Sequence, residues 1–130
     1  MSSLHRTLSG DVLVHHLTED EMLVDRGLVE AHGRSARTLV KEGPLRLTLI
    51  ALAAQGTLPP HSTSGPIMIQ LLDGDIVVEA AGKEYPLAMQ EVLVIASRVE
   101  HSARSTEGGS FLLTVIHVVP EEQSSPVQRA

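Results

Sequence analysis

Cysteine and tryptophan are absent from this 130-residue chain, and phenylalanine and tyrosine occur once each, as Phe111 and Tyr85. Without thiols there can be no disulfide, thiolate metal site or cysteine nucleophile. With aromatics at 2% there is no material for a platform on which bases or sugars stack. Positive charge is also short, with ten Lys and Arg against sixteen Asp and Glu and a formal net charge of -6. A phosphate-tracking surface needs clustered positive charge, so nucleic acid is not an expected partner. No apolar run approaches the length of a membrane span, and the N-terminus lacks a basic-then-apolar signal pattern. The expectation is a cytoplasmic protein with no membrane partner.

What the chain does have is a core. Hydrophobic residues make up 42% of it, which suits one folded domain of ordinary size. Residues 1–34 are expected to form an arm and a short helix. Leu17-Thr18-Glu19-Asp20-Glu21-Met22 reads as a helix start, with Thr18 and Glu21 as a capping box and Leu17 and Met22 as the staple. That helix is expected to run to about Asp25. A second turn follows Gly27 and stops near His32-Gly33, where glycine terminates helices well.

From residue 35 to 119 the pattern is that of strands. Thr38 to Val40 is a short one, broken at Gly43-Pro44. Leu45 to Ala54 alternates, with Leu45, Leu47, Leu49, Ala51 and Ala53 on one face; the other turns apolar at Ile50 and Leu52. One end of that strand is expected to be half-exposed and the other buried on both sides. Ile67 to Leu72 and Asp75 to Ala80 flank Asp73-Gly74, a hairpin signal. Lys83 to Leu87, Glu91 to Ile95, Arg98 to Ser105 and Ser110 to Val119 follow, with Ala81-Gly82 and Glu107-Gly108-Gly109 as turns. Short strands at even spacing without intervening helices predict an all-β jelly roll or barrel. Residues 120–130 are polar and aperiodic, and read as a flexible tail.

One stretch carries a motif. Gly56 to Pro66, the following strand and Gly74 resemble the first motif of the cupin superfamily, G-x5-H-x-H-x3,4-E-x6-G. His61 falls on the first histidine and Gly74 on the closing glycine; Thr63 stands at the second histidine and Ile67 at the glutamate. The gap from Gly56 to His61 is one residue short. The second motif, G-x5-P-x-G-x2-H-x3-N, maps onto Gln90 to Ser105. There His101 matches, while Gln90, Ala96, Arg98 and Ser105 occupy the other marked positions. The resemblance covers about Leu45 to Val118 and implies a small single-domain cupin-type antiparallel barrel.

In that family three histidines and a glutamate hold a divalent metal inside the barrel. Carried over by position, only His61 and His101 remain as ligands, a reduced set that implies at most weak binding of Zn, Fe, Mn or Ni. Catalytic zinc keeps three protein ligands and non-haem iron two histidines and a carboxylate. Losing the glutamate belongs with losing the metal, since a buried carboxylate without a cation is costly. The expected pocket is apolar, lined by His61, Thr63, Ile67, Ile69, Leu71 and His101, with Met68 flanking it. That lining suits a small, mainly apolar ligand, and equally a barrel packed solid with side chains.

The other titratable residues have plainer readings. His5, His15, His16 and His32 lack ligand spacing and are expected at the surface. His117 shares strand parity with Phe111, Leu113 and Val115, which makes it a core histidine or a third polar group in the pocket. Tyr85 is a packing residue, or the acid partner of a histidine as in some cupin sugar epimerases.

Three functions remain open. The first is a small-molecule-binding cupin, with sensing as one use of it; the second is a metal-dependent oxygenase, isomerase or lyase with an atypical ligand set. The third is a packed interaction domain. A homodimer is expected, because Ile50 to Ala54 lacks the charges that protect a sheet edge.

Overall fold

Alternation of apolar and polar residues builds nearly all of the structure, a computed structural model that describes residues 11–17 and 26–118. The expected capping box and first helical turn at residues 18–25 lie outside those residues, as do residues 1–10 and the tail from 119 onward. The described helix, α1, spans Arg26–His32. It stops at Gly33, whose φ of 81° lets its amide turn back onto the Val29 carbonyl at 2.8 Å.

Nine strands follow. They are β1 (Arg34–Glu42), β2 (Leu45–Leu52), β3 (Thr57–His61), β4 (Ile67–Gly74), β5 (Ile76–Ala80), β6 (Lys83–Leu87), β7 (Val92–Ile95), β8 (His101–Arg104) and β9 (Gly109–Ile116). They form a five-stranded sheet in the order β1-β2-β9-β4-β7 and a four-stranded sheet in the order β3-β8-β5-β6. All the described pairings are antiparallel. The architecture is the expected all-β jelly roll.

Between the sheets lies the main core, where Ile67, Ile69 and Leu71 meet Ile76, Val78 and Phe111. A second cluster sits on the outside of the five-stranded sheet, where Leu39, Leu49 and Ala51 are covered by Val29 of α1 and by Leu17. His15 helps to hold that arm, its Nε2–H donating to the Leu39 carbonyl at 3.1 Å. β2 therefore buries both faces toward its C-terminal end, as its pattern of residues predicts.

Several expectations change. β1 is longer than Thr38 to Val40. Asp73-Gly74 is not a hairpin turn: β4 runs through Gly74 in one sheet, and β5 crosses to the other. Gly74 has φ 75°, and a Cβ there would strike the Gly108 carbonyl, so the crossing requires glycine. Asp75 fixes the crossing. Its carboxylate accepts from the Thr106 and Glu107 amides at 2.9 Å each and from Ser105 Oγ at 3.0 Å. Those two amides, foremost, hold its pKa below the ordinary carboxylate value. The tight hairpin joins β5 to β6 through Ala81-Gly82, with φ of 52° and 77°.

β2 is not an edge. It lies between β1 and β9, so Ile50 to Leu52 is paired on both sides and is not the free edge expected there. Met68 faces outward and is 43% exposed, because the inward parity of β4 belongs to Ile67, Ile69 and Leu71. His117 is exposed, since β9 ends at Ile116 and the parity of Phe111, Leu113 and Val115 no longer constrains it. It is not a core histidine.

Candidate functional site

His61 ends β3 and His101 opens β8, and the two residues are direct cross-strand partners. β3 was not legible as a strand because Pro59 and Pro60 sit in its middle. It is an edge strand with an irregularity between Leu58 and His61, the setting in which proline is tolerated. His101 shares inward parity with Ala103 and is 4% exposed, whereas His61 is half-buried. Their rings lie 4.3 Å apart, centroid to centroid, tilted by 58°. Every pair of their nitrogens is therefore well within the roughly 8 Å that a shared ion or ligand atom allows.

The tautomers follow from the partners. His61 Nδ1 is 3.0 Å from the Pro59 carbonyl, and His101 Nδ1 is 3.1 Å from the Val99 carbonyl. A carbonyl only accepts, so each Nδ1 carries the hydrogen and each Nε2 is a bare lone pair in the neutral ring. The Nε2 of His101 is buried and has no hydrogen-bond partner. Burial is the main reason the His101 pKa falls below the ordinary 6.5; the Val99 carbonyl opposes the fall and His61 adds to it. The pair is thus two adjacent acceptors, one of them buried.

Other residues expected at the site behave differently. Thr63 spends its hydroxyl on the Gly65 carbonyl at 2.9 Å. Ile67, Ile69 and Leu71 are packed in the core at 2–3% exposure, and none of them lines the clefts beside His101, along the outer face of the four-stranded sheet or beneath α1. Their side chains belong to the main core between the sheets. His101 borders a cleft of about 380 Å³ whose lining is mixed, with Pro60, Ala80 and Val99 beside Glu79, Glu100 and Ser102. Tyr85 is half-buried and packs against the main core.

A family-type metal does not fit these residues. Among the described residues no group of three or more His, Cys, Asp or Glu side chains could hold an ion. Two imidazoles fall short of the three protein ligands that catalytic zinc or non-haem iron takes.

The backbone of the second motif persists although its residues do not. Gln90 and Arg98 stand at the motif's two glycine positions, and both have left-handed backbones, with φ of 73° and 67°. The Arg98 amide donates to the Thr63 carbonyl at 2.9 Å, tying this turn to the loop after His61. That tie helps to fix His101, three residues on, opposite His61. A sequence match that asks for glycine passes over it.

No family model matches the chain, and no curated protein matches it either. Solved structures do. A cupin superfamily protein from Desulfitobacterium hafniense aligns with a TM-score of 0.64 at 14% identity, over 67% of this chain and 80% of that one. A conserved protein of unknown function from Streptococcus pyogenes aligns at 0.63 and 21% identity, over 92% and 97%. Salicylate 1,2-dioxygenase from Pseudoaminobacter salicylatoxidans aligns at 0.69 and 18% identity, over 79% of this chain and 32% of that one. The chain has the cupin fold. Among the described residues no helix is long and apolar enough to cross a membrane.

Proposed function

We propose that this chain is a non-catalytic binding protein for a small, mainly apolar molecule carrying one hydrogen-bond donor, with the His61–His101 pair as its recognition element. The observation that carries the reading is the buried, partnerless Nε2 of His101 beside a second imidazole whose Nε2 is also a free acceptor. A buried acceptor left unmade costs about 1–3 kcal/mol, and a ligand donor would recover it. The route in is past His61, which is half-buried and whose ring is anchored through its Nδ1 bond to the Pro59 carbonyl. The cleft of about 380 Å³ beside His101 suits a small molecule at the strand ends. Sensing would be one use of such binding.

The enzyme alternative, a metal-dependent oxygenase, isomerase or lyase, draws support from the dioxygenase among the structural neighbours. The donor set argues against it. The two readings separate in one titration of protein labelled with ¹⁵N in its histidine rings. Cyclohexanol or phenol should move the Nε2 signals of His61 and His101, and zinc or nickel should leave them unchanged at equimolar amounts. Stoichiometric metal binding at micromolar concentration would favour the enzyme. Silence from both classes of probe would leave the packed interaction domain as the reading.

A further inference from the structure

At the opposite end of the strands from the histidines, a cleft of about 300 Å³ opens between α1 and the outer face of the five-stranded sheet. Its apolar wall includes the side chains of Val29 and Ala51. Its polar residues include Asp73, Glu107 and Ser110. No basic side chain lines it. Neither carboxylate has an ion pair or side-chain hydrogen bond among the described residues. Ser110 stands between Asp73 and Ala51 in the sheet register, so it occupies the floor of the cleft. Phe111 next to it points into the core, and strand alternation therefore turns the Ser110 side chain outward, toward the cleft. Ser110 is 6% exposed, and its Oγ has no partner.

We propose that this cleft is a second binding site, for a small organic cation with a primary ammonium head and a short apolar body. Two unneutralised carboxylates supply the attraction, and the net charge of -6 adds to it. The orphan hydroxyl offers the ammonium an acceptor. One step of χ1 between staggered wells brings Oγ from the floor against a bound head group. The wall of Val29 and Ala51 receives the alkyl part. A bare Ca²⁺ would ask for six to eight oxygens, and a wall of aliphatic carbon cannot provide them. None of this depends on the histidine pair.

The test is a two-dimensional amide NMR titration of the whole chain with n-butylamine and 1,4-diaminobutane, with n-butanol as the neutral control. The amines should shift the amides of Gly108, Gly109 and Ser110 saturably in the millimolar range, more weakly at high salt, and n-butanol should not. Asp73→Asn with Glu107→Gln should abolish the shifts, and Ser110→Ala should weaken them several-fold. Ser110→Ala removes a hydroxyl that bonds to nothing, so its fold is expected to hold, and an unchanged spectrum elsewhere verifies that. Equal shifts from n-butanol, no saturable shift from either amine, or tighter binding of Ca²⁺ or Mg²⁺ at the same amides would each overturn the proposal.

Discussion

A histidine whose ring is almost wholly enclosed, with one nitrogen bonded and the other not, should be more costly to the fold than a leucine of similar size. His101 is in that position, donating from Nδ1 to Val99 while Nε2 goes without. His101→Leu loses the one bond and removes the orphan, so its unfolding free energy should stay within about 1 kcal/mol of wild type. The pH dependence should change more. The unfolded chain takes up a proton near the ordinary 6.5, whereas the folded chain resists protonation because burial depresses the His101 pKa. More protons on the unfolded side means that stability is full above 6.5 and falls as pH drops toward the depressed value. Urea midpoints measured from pH 7.5 down to 5 should decline for wild type, and that part of the decline should be missing in His101→Leu. Parallel profiles would mean that the ring is protonated in place.

At the scale of the element, the turn between β7 and β8 holds the site together while using the wrong residue. Arg98 occupies a left-handed backbone at φ 67°, a conformation that costs a side chain roughly 1–2 kcal/mol and glycine almost nothing. Arg98→Gly should therefore raise stability by roughly 0.5–1 kcal/mol once the looser unfolded chain is allowed for. Gln90→Gly should act in the same direction. Thermal melts would show it, and a loss of stability would mean that the Arg98 side chain contributes a contact that outweighs the strain. The same turn explains why the site was half-legible. The spacing from the apolar strand to His101 is kept, and it predicted where the ring would go. The facing position of His61 follows from β3–β8 pairing over forty positions of chain. Local patterns also found the strand of Ile67 to Leu72 and that of Asp75 to Ala80. They misjudged what lay between, because Asp73-Gly74 reads as a turn whichever sheet the next strand enters. What sends β5 across is Asp75 gripping Ser105, Thr106 and Glu107, thirty residues away. Parity failed at His117 for a simpler reason: the residue lies past the end of β9 and is exposed there, although its amide still bonds to the Pro44 carbonyl.

For the whole molecule, the question is what meets the outer face of the five-stranded sheet. Its β2 side is covered by Val29 and Leu17. Its β7 side presents Met68, Val92, Val94 and Ile116, exposed at 43%, 54%, 62% and 39%. Val94, Met68 and Thr114 are cross-strand neighbours, as are Val92, Gln70 and Leu112, so the apolar groups form a continuous uncharged surface. β7 pairs only with β4 among the described residues, leaving its other edge free beside that surface. We propose that the chain forms a homodimer and that it does so through this face, in place of Ile50 to Ala54. Two chains of net charge -6 repel each other at long range, and they associate best where their facing surfaces are neutral and apolar. A partner of opposite charge would find nothing here to pair with. Light scattering at micromolar concentration should give twice the chain mass. Val94→Lys together with Met68→Lys should reduce it to one chain, because each copy would then bring like charges to the same contact. The cupin barrel itself should survive, since both side chains face away from the core, and an unchanged far-ultraviolet spectrum checks that. A wild-type monomer at these concentrations would rule out the dimer, and a dimer indifferent to both lysines would move it to another face.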